Sequence, residues 1–257
     1  MNYEYILAEL EGPVARLSFN RPDALNALSP PLIEEALEFS RRVAGSDARV
    51  LIVSGEGDRA FSAGVDIKFS STPAYTPELA QKFSDNARAL CTLWETMPQI
   101  VIAMVDGYCF TGGLEVALGA DFIIASDNSK FADTHAKIGF RPGWGLSQRL
   151  PKRIGIQRAK EMSFTARHVS ASEAKEMGLI LDAVPLETLE QRVMEMAEAC
   201  MANAAGSIAA YKDLYRKSLN SLYDDGLNFE ATANYEIAER KELQKAMVAK
   251  LSRHEKA

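Results

Sequence analysis

Long apolar runs are missing from this chain of 257 residues. No segment approaches the ~20 apolar residues of a membrane-spanning helix, so no membrane insertion is expected. A basic surplus is missing as well. Lys and Arg total 29 against 35 Asp and Glu, a formal charge of −6. That balance gives no electrostatic reason to expect nucleic acid as a partner, although a local basic pocket for phosphates stays open. Cysteine is scarce. Cys91, Cys109 and Cys200 are odd in number and far apart, with no CxxC pair and no Cys/His cluster at zinc spacing. Reduced, mostly buried thiols, a cytoplasmic location and no metal site are the expectation. The opening Met1-Asn2-Tyr3-Glu4-Tyr5 has neither a basic start nor an apolar stretch and does not read as a secretory signal. No nicotinamide or flavin fingerprint is visible.

What is present is a 47% hydrophobic chain, enough for a sizeable core. Ile6 to Leu10 and Val14 to Phe19 read as a hairpin around Glu11-Gly12-Pro13. Pro30-Pro31 can open a helix running to about Val43. Val50 to Ser54, Ile100 to Val105 and Phe122 to Ala125 read as buried strands. Residues 69–77 read as a mobile loop, and Pro77 opens a helix that ends near Met97-Pro98. This alternation suggests an α/β domain with largely parallel pairing. Ser170-Ala171-Ser172-Glu173 is patterned as a capping box. Glu187 to Asn203 is helix-like. Two further helices, about Ser207–Leu222 and Leu227–Ser252, are expected with a break at Asp224-Asp225-Gly226.

The run Tyr108 to Glu115 holds the chemistry. Gly112 and Gly113 let the backbone approach a ligand closely. Amides at a helix start have no intrahelical acceptor. Glu115, three residues after Gly112, falls on the same face if a helix begins there. An oxyanion donor and a general acid or base would then lie side by side. Tight packing of helix on strand is the competing account. Cys109 is a candidate nucleophile, but with no histidine nearby in sequence an inert buried thiol is the simpler reading.

Ala60-Phe61-Ser62-Ala63-Gly64-Val65-Asp66-Ile67-Lys68 adds a second pattern. Together with Asn20-Arg21-Pro22, Leu25-Asn26-Ala27-Leu28, Asp106 to Glu115, Pro142-Gly143-Trp144-Gly145, Gln148-Arg149-Leu150, Gly178-Leu179-Ile180 and Val184-Pro185, it makes the chain resemble the enoyl-CoA hydratase/isomerase family, the crotonase superfamily, over roughly residues 5–250. The resemblance implies a crotonase-like spiral of ββα units. It also implies a catalytic core at 1–198 and a C-terminal helical trimerisation region at 199–257. The implied partners are an acyl-CoA thioester and other copies of the chain, as a homotrimer or a dimer of trimers. No cofactor is implied, because coenzyme A belongs to the substrate.

By the same resemblance, the amides of Val65 and Gly112 are the oxyanion donors. Leu25, Ala27, Ala63, Val65, Asp66, Ile67, Lys68 and Gly112 line the CoA site. Asp66 as a loop brace, Lys68 and Lys250 as solvated lysines, and Leu25 and Ala27 as core are the plainer readings. Glu115 matches one of the two glutamates that hydratases in the family use. The second is absent: in Phe131-Ala132-Asp133-Thr134-His135 the aligned position is His135. Imidazole exchanges protons near neutral pH, so His135 can protonate Cα while Glu115 activates water, or the two can divide these roles the other way. A structural histidine beside a site that uses Glu115 alone is the alternative. Asp133 then either orients His135 or caps a turn. His168 and His254 read as surface residues. Trp144 is either an acyl-pocket wall or packing for the next helix. Hydration of an enoyl-CoA is the leading reading. Double-bond isomerisation, hydrolysis or decarboxylation of an acyl-CoA, and noncatalytic acyl-CoA binding are the alternatives.

Overall fold

The computed structural model describes residues 3–254, with side chains through residue 247. Strands β1 (Ile6–Glu11) and β2 (Val14–Phe19) form the expected antiparallel hairpin. Helix α1 (Pro30–Ala44) starts on its two prolines, whose fixed φ suits the first helical positions. It buries Leu32, Ile33, Ala36, Leu37 and Val43 along one stripe. Then come β3 (Val50–Gly55), β4 (Ala60–Ser62), the four-residue α2 (Ile67–Ser70) and α3 (Pro77–Thr96). The segment read as a 69–77 loop is therefore partly helical at its start. Asp66 caps α2 by accepting from the Phe69 amide at 2.9 Å.

Next are β5 (Ile100–Val105), β6 (Tyr108–Phe110), α4 (Gly112–Ala117), β7 (Phe122–Ser126) and β8 (Lys130–Ala132). Helices α5 (Leu146–Ile154) and α6 (Ile156–Thr165) lead to β9 (Val169–Ser170), α7 (Ala171–Glu176) and β10 (Asp182–Val184). The Ser170 hydroxyl accepts from the Glu173 amide, the first half of the expected capping box. The Glu173 carboxylate pairs with Arg167 instead of reaching back.

One sheet has the order β1-β2-β3-β5-β7-β10 and is parallel from β2 onward. A second has the order β4-β6-β8-β9. The pairs β3/β4, β5/β6 and β7/β8 each place their first strand in the large sheet and their second in the small one. This is a spiral of repeated ββα turns, as the resemblance implies. Residues Val50 to Val53 and Ile100 to Ala103 are buried throughout, as strands covered on both faces require. Across α1 and α3, Trp94 Nε1 donates to Ser40 Oγ at 2.9 Å, so the indole is buried without stranding its donor.

The chain divides into two compact units, Met1–Ala197 and Glu198–Ala257. The core described above belongs to the first, and α8 (Leu186–Met201) runs across the division. The second unit contains α9 (Ala205–Ser218), α10 (Tyr223–Thr232) and α11 (Arg240–His254). Asp224-Asp225-Gly226 is not a break. It lies in the first turn of α10, where acidic side chains favour a helix start. The interruptions fall at 219–222 and 233–239 instead.

Candidate active site

Two backbone exits build the site. After β4 the chain runs beside residues 25–28. Ala63 N donates to Leu25 O at 2.9 Å, Leu28 N to Gly64 O at 2.7 Å, and Asp66 N to Leu28 O at 2.9 Å. In this parallel bridge Leu28 engages the residues on either side of Val65. The Val65 amide is left outside the ladder and, among the described residues, has no acceptor. The bend that allows this is held by Asn26, buried and at φ +52°. Its Nδ2 donates to Glu56 O and Ala60 O, and its Oδ1 accepts from Arg21 N. Arg21 also reaches Ala27 O at 2.6 Å and Asp66 at 2.8 Å. Burial works against the Asp66 charge, but the Phe69 amide and the Arg21 guanidinium outweigh it and hold this carboxyl below its usual range. Asp66 thus braces the loop, while Ile67 and Lys68 are exposed on α2.

The second exit follows β6. Thr111 takes φ +52°, ψ −111°, an unusual conformation for a β-branched residue. Its amide donates to Ala132 O at 2.8 Å and its hydroxyl shares a 2.5 Å hydrogen bond with Thr134, so flanking elements hold it there. Helix α4 begins next, and the Gly112 amide also lacks an acceptor among the described residues. A Cβ added to Gly112 would lie 3.4 Å from Val65 N, and one on Gly64 would lie 3.2 Å from Gly112 N. The two unengaged amides therefore border one small space, roofed by the Trp144 ring 2.9 Å from that same Gly112 Cβ position.

Glu115 is buried at 2% exposure. Its Oε1 accepts from the Trp144 amide at 2.9 Å and the Leu146 amide at 3.1 Å. Its Oε2 lies 3.5 Å from His135 Nε2. Burial raises the Glu115 pKa, and the Leu146 and Trp144 amides and His135 reverse only part of the rise. On the other side of the imidazole, Nδ1 is 2.6 Å from Asp133 Oδ1. Burial disfavours the Asp133 charge, yet hydrogen bonds from His135 and Ser163 prevail and lower its pKa. An ionised Asp133 fixes the proton on Nδ1 and turns Nε2 toward Glu115. Carboxylate, imidazole and carboxylate form one buried row, and its Glu115 end is held by the Trp144 and Leu146 amides.

The structure thus brings Leu25 to Ala63, Val65 to Gly112 and Glu115 to His135, with Ala27 in the 25–28 segment that runs beside the first exit. Cys109 is fully buried, and burial pushes its thiol well up, so it is not poised as a nucleophile. His168 is exposed and rests its ring on Phe110, centroids 4.7 Å apart. The side chains of Lys250 and His254 lie outside the described residues. Sequence reasoning missed Arg149 and Glu95. Arg149 was visible only as part of Gln148-Arg149-Leu150, with nothing local to tie it to a carboxylate 54 residues earlier.

The family model described as enoyl-CoA hydratase/isomerase matches residues 9–256. The mitochondrial enoyl-CoA hydratase of Pongo abelii is 34% identical over 254 residues, covering 96% of this chain and 85% of that protein. The crotonyl-CoA hydratase of Syntrophomonas wolfei is 33% identical, covering 91% of this chain and 89% of that one. Among solved structures, an enoyl-CoA hydratase from Bacillus anthracis superposes with a TM-score of 0.89 at 31% identity, over 96% of this chain and 97% of that chain.

Proposed function

The chain belongs to the enoyl-CoA hydratase/isomerase family, and from that premise we propose that it adds water reversibly across the α,β double bond of an enoyl-CoA thioester. The observation that carries the reading is the row Asp133–His135–Glu115, with Glu115 on a helix whose first residue, Gly112, presents an unengaged amide beside that of Val65. The thioester carbonyl oxygen sits between Val65 N–H and Gly112 N–H, which meet the negative charge that develops on it. One such donor contributes about 3–4 kcal/mol of differential stabilisation. As a carboxylate held by two amides on Oε1, Glu115 takes a proton through Oε2 from the water that adds to Cβ. His135 enters as the imidazolium, with Nδ1–H on Asp133, and its Nε2–H supplies the proton that Cα gains. Return of the proton from Glu115 to His135, across the 3.5 Å between them, resets the pair. One water is consumed and no redox equivalent is needed.

The CoA portion runs along the Ala63–Lys68 segment, with Leu25 and Ala27 shaping its channel. Coenzyme A arrives with the substrate, and no other cofactor enters this scheme. We place the reaction in the cytoplasm, in a homotrimer or a dimer of trimers, a state that light scattering would measure. Among the described residues no helix is long and apolar enough to cross a membrane. The test is a panel of short, medium and aromatic enoyl-CoAs, followed by loss of enoyl absorbance and mass spectrometry of products. A 3-hydroxyacyl-CoA is the expected product. A shifted double bond, free CoA with acid, or loss of carbon dioxide would each replace this reading with a sister reaction, and binding without turnover would replace it with a noncatalytic one.

A further inference from the structure

The groups that hold Glu115 are themselves held. Its two donors, Trp144 N–H and Leu146 N–H, belong to the peptides on either side of the Trp144–Gly145 peptide. The carbonyl of that middle peptide accepts from Arg149 Nη1 at 2.7 Å. The rest of the guanidinium is gripped by Glu95, with Nε to Oε1 at 2.7 Å and Nη2 to Oε2 at 2.8 Å. This is the two-pronged geometry in which Arg is most rigid and which Lys cannot copy. Gly145 stands at φ +119°, and a Cβ there would fall 2.0 Å from Arg149 Nη1. A residue with a side chain at 145 would push the guanidinium off the carbonyl. Helix α3, which carries Glu95, is thereby linked to the catalytic carboxylate through one arginine and one turn of backbone.

We propose that Arg149, anchored by Glu95, is a positioning residue for the reaction: it locks the Trp144–Gly145 peptide so that the amides flanking it stay aimed at Oε1 of Glu115. Arg149 touches neither substrate nor reacting atoms. It acts on how well the Glu115 carboxylate is held and on where Oε2 points. The inference rests on the hydratase reading only for its kinetic readout.

Arg149→Lys keeps the charge and removes the fork. It is expected to lower kcat by roughly 10- to 100-fold, the worth of an oriented hydrogen bond to a charged group. KM for the enoyl-CoA should change by less than about threefold, because uniform substrate binding is untouched. The acid limb of the kcat profile should move to higher pH, since a carboxylate with looser donors is harder to ionise. Glu95→Gln, which breaks the grip from a partly exposed position, should move the same quantities the same way by a smaller factor.

A second readout needs no turnover. The neutral-pH gain in melting temperature from Glu115→Gln should be larger in the Arg149→Lys background than in the parent chain. A fall in melting temperature with kcat and acid limb unchanged, or a loss confined to KM, overturns the proposal and leaves the pair a fold contact. If Arg149→Lys does not fold, Glu95→Gln decides by the same criteria. If the parent chain yields no 3-hydroxyacyl-CoA, the hydratase reading fails, and the melting-temperature cycle still decides the role of Arg149.

Discussion

Glu115 Oε1 accepts the main-chain amide of Trp144 at 2.9 Å, while the ring of the same tryptophan roofs the glycine that opens the Glu115 helix. One residue therefore holds the carboxylate through its backbone and covers the space beside Gly112 through its side chain. The two functions can be separated by mutation.

Glu115→Gln keeps size and both amide hydrogen bonds but removes proton transfer. Turnover should fall ~100- to 10,000-fold, with CoA binding and fold retained. Rates measured where chemistry limits turnover, together with a binding titration, check this. Near-parental turnover would remove Glu115 from the mechanism.

The same substitution has a stability signature. The folded pKa of Glu115 is raised by burial, so the folded state binds this proton more tightly than the unfolded chain does. Stability from that proton is complete below the ordinary carboxylate range and is lost as pH rises through the folded value. Glutamine imitates the protonated form. Glu115→Gln should therefore melt like the parent in acid and above it at neutral pH. A melting-temperature difference that does not change with pH would contradict the raised value.

Much of the scaffold was legible because its signals are local. Val50 to Val53 and Ile100 to Val105 are continuous apolar runs, and Pro30-Pro31 marks a helix start. Strands β4, β6 and β8 were not, because three residues carry no readable alternation. They exist through pairing with one another, Tyr108 with Lys130 and Phe110 with Ala132. That pairing carries Thr111 to Thr134, and so brings Glu115 to His135 although they are far apart in sequence. Glu115 stands out by its spacing to Gly112, and the resemblance adds His135, with Asp133 either orienting it or capping a turn. The fold alone supplies the 3.5 Å between Glu115 and His135 and decides for Asp133 on the far side of the ring. At 233–239 no glycine or proline announces the helix break, so one long helix was read where two lie.

His135→Ala should lower hydration more than CoA affinity, because the ring faces Glu115, with Nε2 3.5 Å from Oε2. His135→Glu, which restores the family's carboxylate pair, meets a neighbour that opposes it: Asp133 Oδ1 sits 2.6 Å from the present Nδ1. Three carboxyls in one buried row repel. The single change should leave activity low, and adding Asp133→Asn should recover part of it. Equal activity in the single and double variants would show that Asp133 does not govern this position.

The paired glycines should answer differently to one methyl group. A Cβ on Gly113 would lie 2.5 Å from Ser62 O, inside the packed contact of α4 on β4. Gly113→Ala should cost about 1–3 kcal/mol of stability, as overpacking does. A Cβ on Gly112 would point into the space beside Val65 N and against the Trp144 ring. Gly112→Ala should reduce kcat far more than melting temperature. Denaturant unfolding run beside kinetics on both variants checks the contrast, and equal behaviour would argue against an oxyanion space there.

Trp144→Ala separates the ring from the amide. The amide remains, so Glu115 keeps its Oε1 donors. The ring, only 6% exposed and edge-on to Phe83 with centroids 5.1 Å apart, is lost. Removing a buried tryptophan ring costs about 3–5 kcal/mol where the site cannot collapse. That loss is the baseline against which function is judged. If the ring walls the acyl pocket, its removal opens volume beside the reacting carbons. The ratio of kcat/KM for a medium-chain to a four-carbon enoyl-CoA should then rise, driven mostly by KM. If the ring only packs α3 against the loop, stability falls and the ratio stays constant. Competing the two substrates in one vessel measures that ratio independently of the amount of active enzyme, so even a destabilised preparation distinguishes a pocket wall from a packing contact.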